Sequence, residues 1–168
     1  MSLNIREISI NDVEAFTTLM QKVYDESEYM LYAPGEYVPS LEYAISNLEE
    51  VITSPHLAIL VAEKSDMLVG YITIFSKKLH RIEHKARIAM GVLNQEQGFG
   101  IGQALLDACK NWCRDHQMTR IELTVVTDNT SAYRLYKRAG FKVEGEMQHT
   151  LKIDDQYFNE YMMAYIVH

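Results

Sequence analysis

The chain of 168 residues predicts an α/β (α+β) fold in a single domain, residues 1–168, and three observations carry that prediction. Seven short runs have the apolar patterning of strands, and four longer runs carry apolar stripes at helical spacing. Two pairs of strand-like runs are joined by short polar turns, so antiparallel hairpins form part of the sheet. Hydrophobic residues make up 48% and charged residues 23%, the balance of a globular chain with one sizeable core.

Asn4 to Ile10 alternates Ile5, Glu7 and Ser9 with Arg6, Ile8 and Ile10, a first strand. Asn11 is the expected cap of a first helix, with Glu14 in the capping-box position. Val13, Phe16, Leu19, Met20 and Val23 make its apolar stripe, which is core packing. Tyr24 to Pro39 mixes acids and aromatics around a Pro34-Gly35 turn. It reads either as a solvated loop or as a substrate lip. Ser40 caps a second helix whose inner face is Ala44, Ile45, Leu48, Val51 and Ile52, ended by Ser54-Pro55. Leu57 to Glu63 and Leu68 to Phe75 form a hairpin, and Lys77 to Glu83 is a polar loop.

His84 to Leu93 is the next strand, and it leads into three alternating glycines, Gly98, Gly100 and Gly102. These run into a helix striped by Ile101, Ala104, Leu105, Ala108 and Trp112. Arg120 to Val126 alternates as a fifth strand. Asp128, Asn129 and Thr130 offer caps for a fourth helix with Ala132, Leu135, Tyr136 and Ala139 on its apolar face, and Gly140 sits at its C′ position. Val143 to Ile153 and Tyr157 to Val167 close the chain as a hairpin around Asp154-Asp155-Gln156.

Composition narrows the functional classes. Residues 1–10 lack a basic-then-apolar leader, and no apolar run approaches 18 residues, so a cytoplasmic protein with no membrane span is expected. A net charge of −7 argues against nucleic acid as a partner and favours cationic ligands. Cys109, Cys113 and His116 share one side of the third helix. That row permits a metal, but it lacks a fourth nearby ligand, and two reduced half-buried thiols are the simpler expectation, with no metal.

The stretch Val92 to Leu106 carries the chemistry. Glycine lets backbone N–H groups approach a ligand, and a helix start offers unpaired N–H groups and a positive dipole end. Together they suit phosphate, so Gln97 to Gln103 reads as a pyrophosphate cradle, against the alternative of a glycine turn with no ligand. A P-loop is excluded because no Lys follows the glycines. The dinucleotide fingerprint, and with it an oxidoreductase, is disfavoured because its third glycine position holds Gln103. Gln97-x-x-Gly100-x-Gly102 resembles the acyl-CoA loop of the GCN5-related N-acetyltransferase (GNAT) superfamily. Asn129-Thr-Ser-Ala132-Tyr-Arg-Leu135-Tyr136-Lys-Arg-Ala-Gly140-Phe141 is similar to that superfamily's second motif, and the two occur in the same order.

The resemblance implies a central mixed, mostly antiparallel sheet of six to seven strands flanked by about four helices. It implies acetyl-CoA as co-substrate, held by Gly91, Val92, Leu93, Gln97, Gly98, Phe99, Gly100, Ile101, Gly102, Gln103, Asn129, Ala132 and Tyr136. Tyr136 is the expected acid for the leaving thiolate, and Glu83 and His84 are candidate bases. One acceptor wall falls on the segment between the first two helices, where Asp25, Glu28, Tyr29 and Tyr32 would hold an amine. The expected reaction is direct acetyl transfer to a primary amine: a polyamine, an amino acid, an antibiotic or a protein N-terminus. A non-catalytic acyl-CoA sensor is the alternative. The closing hairpin would join a homodimer, as in some relatives.

Overall fold

A computed structural model of the chain describes residues 2–168. One seven-stranded sheet runs through it in the order β1-β2-β3-β4-β5-β7-β6. The strands are β1 (Leu3–Glu7), β2 (Leu57–Lys64), β3 (Met67–Phe75), β4 (Lys85–Val92), β5 (Arg120–Val126), β6 (Lys142–Ile153) and β7 (Gln156–Ile166). Four helices flank them: α1 (Val13–Glu26), α2 (Leu41–Thr53), α3 (Ile101–Asp115) and α4 (Thr130–Arg138). Every strand pair is antiparallel except β4 with β5. None of the described helices is long and apolar enough to cross a membrane.

Local chemistry sets the boundaries. The first strand ends earlier than its alternation suggests, because Ser9 donates its N–H to Asp12 Oδ2 at 2.7 Å. A single 3-10 turn, Ile10–Asp12, follows, and α1 starts at Val13, so the cap expected at Asn11 with Glu14 is replaced. The end of α1 runs to Glu26, which makes Tyr24, Asp25 and Glu26 helical rather than loop. Ser40 accepts the Tyr43 N–H at 3.1 Å as the cap of α2. Two hairpins turn on residue pairs with positive φ, Ser65-Asp66 and Asp154-Asp155. Such pairs match the twist of the flanking strands. At the end of α4, Phe141 N–H bonds the Tyr136 carbonyl and Gly140 N–H bonds the Lys137 carbonyl. This is the Schellman pattern, with Gly140 at a φ of +94°.

The core joins both layers through the sheet: Phe16, Leu19 and Val23 from α1, Tyr71 and Ile72 from β3, and Leu105, Leu106 and Cys109 from α3. Cys109 and Cys113 are fully buried, and their mutual contact together with burial pushes the Cys109 thiol far up. His116 leaves their row and stacks on Trp112 with ring centroids 3.7 Å apart.

The feature that positions the site is the junction of β4 and β5. Pairing covers only Lys85–Arg87 against Arg120–Glu122. Beyond that point the two strands part, and the β4 edge from Ile88 to Val92 has no strand beside it on that side.

Candidate active site

At the open end of the parted strands, β4 runs through one 3-10 turn, Asn94–Glu96, into the glycine turn and α3. Gly98 and Gly100 have φ of +83° and +84°, which glycine alone adopts without strain. A Cβ at either would meet nothing within 4 Å, so the outer side of the turn is open. Gly100 is the N-cap of α3, and the first N–H groups of that helix have no helical partners. Their dipole end attracts an anion, and the open turn fits a pyrophosphate. Gln97 donates to the Val92 carbonyl at 3.1 Å and Asn94 Oδ1 at 3.2 Å, while Gln103 donates to Asp107 at 2.9 Å. Both side-chain amides thus brace the loop itself. Ile101 turns into the core, and Phe99 lies exposed with Lys64 Nζ over its ring.

Two of the other glycines serve packing. A Cβ on Gly102 would stand 2.7 Å from Leu135 Cδ2 on α4, so Gly102 lets α3 and α4 come together. A Cβ on Gly91 would stand 2.6 Å from Val23 and 2.9 Å from the Tyr71 ring. What lies close against Gly91 is therefore the protein's own α1 layer.

Leu93 N–H donates to the Val69 carbonyl of β3 at 3.0 Å. In an antiparallel ladder the bonding direction alternates, so Gly91 also bonds toward β3, and Met90 and Val92 point their backbone groups toward the gap. Gln97 already occupies the Val92 carbonyl. The free edge groups are the Val92 N–H and both groups of Met90. Met90 was not singled out by the sequence, since only the ladder phase reveals it.

Tyr136 packs from α4 against Phe141, with ring centroids 5.8 Å apart. It is buried, and burial pushes its phenol up to about 12, so the group holds its proton at neutral pH. The Tyr71 phenol is near enough to interact with it electrostatically and faces Tyr24 in turn. Asn129 accepts the Ala132 N–H at 3.3 Å as the cap of α4, which orients the helix that carries Tyr136.

The segment after α1 closes one side. Tyr24, Tyr32 and Tyr37 form a three-ring cluster with centroids 5.0 to 5.2 Å apart. Tyr29 meets Phe158 of β7 at 6.0 Å, so lip and closing hairpin touch. The acids of this segment are partly committed. Asp25 accepts the Gly35 N–H at 2.8 Å, Glu36 accepts the Ala33 N–H at 2.8 Å, and Glu26 accepts the Asn94 N–H at 2.8 Å. The Glu26 bond stitches the lip to the loop before the cradle. Glu28 has no such backbone partner among the described residues.

Glu83 and His84 lie elsewhere. They precede the closed base of the parted strands, and seven residue steps along β4 take His84 to Gly91, about 23 Å. Glu83 pairs with His80 at 3.3 Å on the surface. Among the described residues, neither makes a hydrogen bond, ion pair or ring contact with Tyr136.

A mostly antiparallel sheet whose one parallel pair splays apart, with a glycine turn and helix start at the mouth, is the frame of an acyltransferase of the N-acetyltransferase class. Residues 18–141 match the acetyltransferase (GNAT) family, and the chain belongs to that family. It is 32% identical over 120 residues to the L-amino acid N-acetyltransferase AaaT of Escherichia coli (strain K12), which spans 69% of this chain and 72% of that protein. A GNAT-family acetyltransferase from Streptococcus pneumoniae shares the fold with a TM-score of 0.93 at 21% identity, over 99% of this chain and 100% of the other. The yncA protein of Salmonella typhimurium, solved with its cofactor acetyl-CoA, superposes with a TM-score of 0.87 at 16% identity, over 100% of this chain and 95% of the other.

Proposed function

We propose that the protein transfers the acetyl group of acetyl-CoA directly to a primary amine in a ternary complex. The observation that carries this reading is the parted β4–β5 edge with the open glycine turn at its mouth, and the reading assigns Tyr136 to the gap. Backbone N–H groups of residues 98–103 hold the pyrophosphate, and Met90 and Val92 pair with the pantetheine arm. The amine reaches the gap from the α1 side, past Tyr24, Tyr29 and Tyr32. It loses its proton to water and attacks the thioester carbonyl. The C–N bond forms, the C–S bond breaks, Tyr136 donates its proton toward the departing sulfur, and the new amide nitrogen sheds its second proton to water. Water then restores the phenol. With His84 about 23 Å from Gly91 along β4, and Glu83 one residue before it, solvent is the proton acceptor in this scheme. The β6 edge, exposed along most of its length, is our proposed contact for a homodimer.

The test is a turnover assay with a panel of amines. Acetyl-CoA and an accepted amine should yield free thiol and acetylated amine in equal amounts, with no acetyl label left on the protein when amine is omitted. Stable labelling of the protein, or thiol release without acetylated product, would overturn direct transfer.

The lip adds a second expectation. Asp25→Asn with Glu28→Gln keeps an oxygen for the Gly35 N–H but removes two negative charges. The acceptor KM should rise about two- to fivefold at low ionic strength, the size of a surface charge effect, and the rise should fade with added salt. An acceptor KM that does not move at low salt would return this segment to a purely structural role.

A further inference from the structure

The sheet face beside the gap carries two charged side chains that the reading above leaves unused, Arg87 and Glu160. Strand pairing places them together. Arg87 is in register with Phe75 on β3 and with Glu122 on β5. Alternation puts Arg87, Ala89 and Gly91 on one face, and Gly91 faces Val23 of α1. On β7, Phe158 meets Tyr29 of the lip, while Tyr161 meets Tyr133 of α4 on the opposite face. Phe158, Glu160 and Met162 therefore look to the lip side, the face that Arg87 shares. Arg87 and Ala89 are exposed, so α1 covers β4 only at its Gly91 end.

Neither charge has a protein partner. Glu122, the register neighbour of Arg87, gives Oε1 to Arg120 at 2.6 Å and to Lys85 at 3.4 Å. Arg87 makes no ion pair among the described residues. Glu160 is half-buried between Val126 and Met147, its apolar register partners, and among the described residues its carboxylate also makes no ion pair or hydrogen bond. A cationic ligand group beside this carboxylate would meet it in a charge-assisted hydrogen bond.

The spacing suits a small zwitterion. Glu122 to Val126 spans four residues of β5, about 13 Å, and two strand spacings across are about 10 Å, giving about 16 Å between the two Cα atoms. Arg and Glu side chains reaching inward leave a gap over the small residues Ala89 and Thr124. We infer that this face seats an α-amino acid acceptor, with Arg87 on its carboxylate and Glu160 toward its amino group. The inference rests on the acetyl-transfer reading and narrows its acceptor. A polyamine has no carboxylate and is repelled by Arg87, and the first residue of a protein has spent its carboxylate in a peptide bond.

Steady-state acetyl transfer to L-leucine, L-methionine and L-phenylalanine, each against its decarboxylated amine, tests this. The wild-type protein should prefer the amino acid. In Arg87→Gln that preference in kcat/KM should fall about tenfold to a hundredfold, the size of a lost charge-assisted hydrogen bond, and Arg87→Lys should restore part of it. Glu160→Gln should raise the KM for amino acid and amine alike. The KM for acetyl-CoA should hold within a few-fold in all three variants, which reports an intact fold. Transfer that proceeds with no preference for the carboxylate, or an Arg87→Gln loss equal for both acceptor types, would overturn the inference alone. Absence of transfer to every amine, with acetyl-CoA still bound, would overturn the acetyl-transfer reading and this inference with it.

Discussion

Tyr136→Phe should lower kcat about a hundredfold while CoA affinity stays within a few-fold. The phenylalanine keeps the ring against Phe141, whose centroid lies 5.8 Å away, so the α4 packing is nearly undisturbed. What is lost is a donor that matters only as the C–S bond opens, and such a loss appears in kcat rather than in ground-state binding. Positioned acids contribute about 10²–10⁴-fold, and the lower end is expected here for a physical reason. Burial holds the phenol at about 12, above the range of an ordinary thiol, near 8.5. Transfer to a thiolate is therefore uphill, and much of the effect is a hydrogen bond to developing charge. Steady-state kinetics, single turnover and calorimetric CoA binding on one preparation provide the check. Full activity in the variant would leave Tyr136 as a packing residue.

Gly102→Val should weaken CoA binding about tenfold and lower kcat as well, whereas Gly100→Val should act on binding alone. The difference lies in what each glycine faces. Gly100 sits at a φ of +84° with open space around it, so a β-branched residue there strains the turn by about 1–3 kcal/mol and distorts the N–H groups of the cradle. Gly102 is helical, and its missing Cβ is the space occupied by Leu135. Valine would push α3 from α4, at an overpacking cost of about 1–3 kcal/mol, and Tyr136 is the next residue after Leu135. Gly102→Ala should be mild, because Leu135 can shift its methyl and alanine gains about 0.8–1 kcal/mol of helix propensity. Calorimetry and kcat on the three variants separate these effects. A Gly102→Val protein with weakened binding and unchanged kcat would show that the residue acts on the cradle only.

These two glycines show how much of the site could be read in advance. The order glycine turn, helix, strand, capped helix was legible because it depends on neighbours in sequence: caps, apolar stripes and positive-φ positions are local chemistry. The Ser40 cap, the Asn129 cap and the Gly140 stop all occur where the residues indicate. The cap at Asn11 was misplaced because Ser9 and Asp12 offer the same pattern two residues earlier. The lip began too early because Tyr24 continues the buried stripe of α1.

By itself, the sequence determined the elements, their order, the family and the open glycine turn before α3, since each depends on short-range periodicity and backbone freedom. Tertiary structure alone decided which atoms line the gap. Pairing stops after Arg87, ladder phase turns Met90 rather than Leu93 toward the opening, and Gly91 and Gly102 face protein rather than ligand. It also placed Glu83 and His84 before the closed base of the parted strands and put Arg87 and Glu160 on one face. The physical reason is that a strand's side-chain direction and hydrogen-bond direction alternate with each residue. A one-residue difference in register therefore exchanges what faces the core, the neighbour strand and the ligand, and register is settled only when the strands meet.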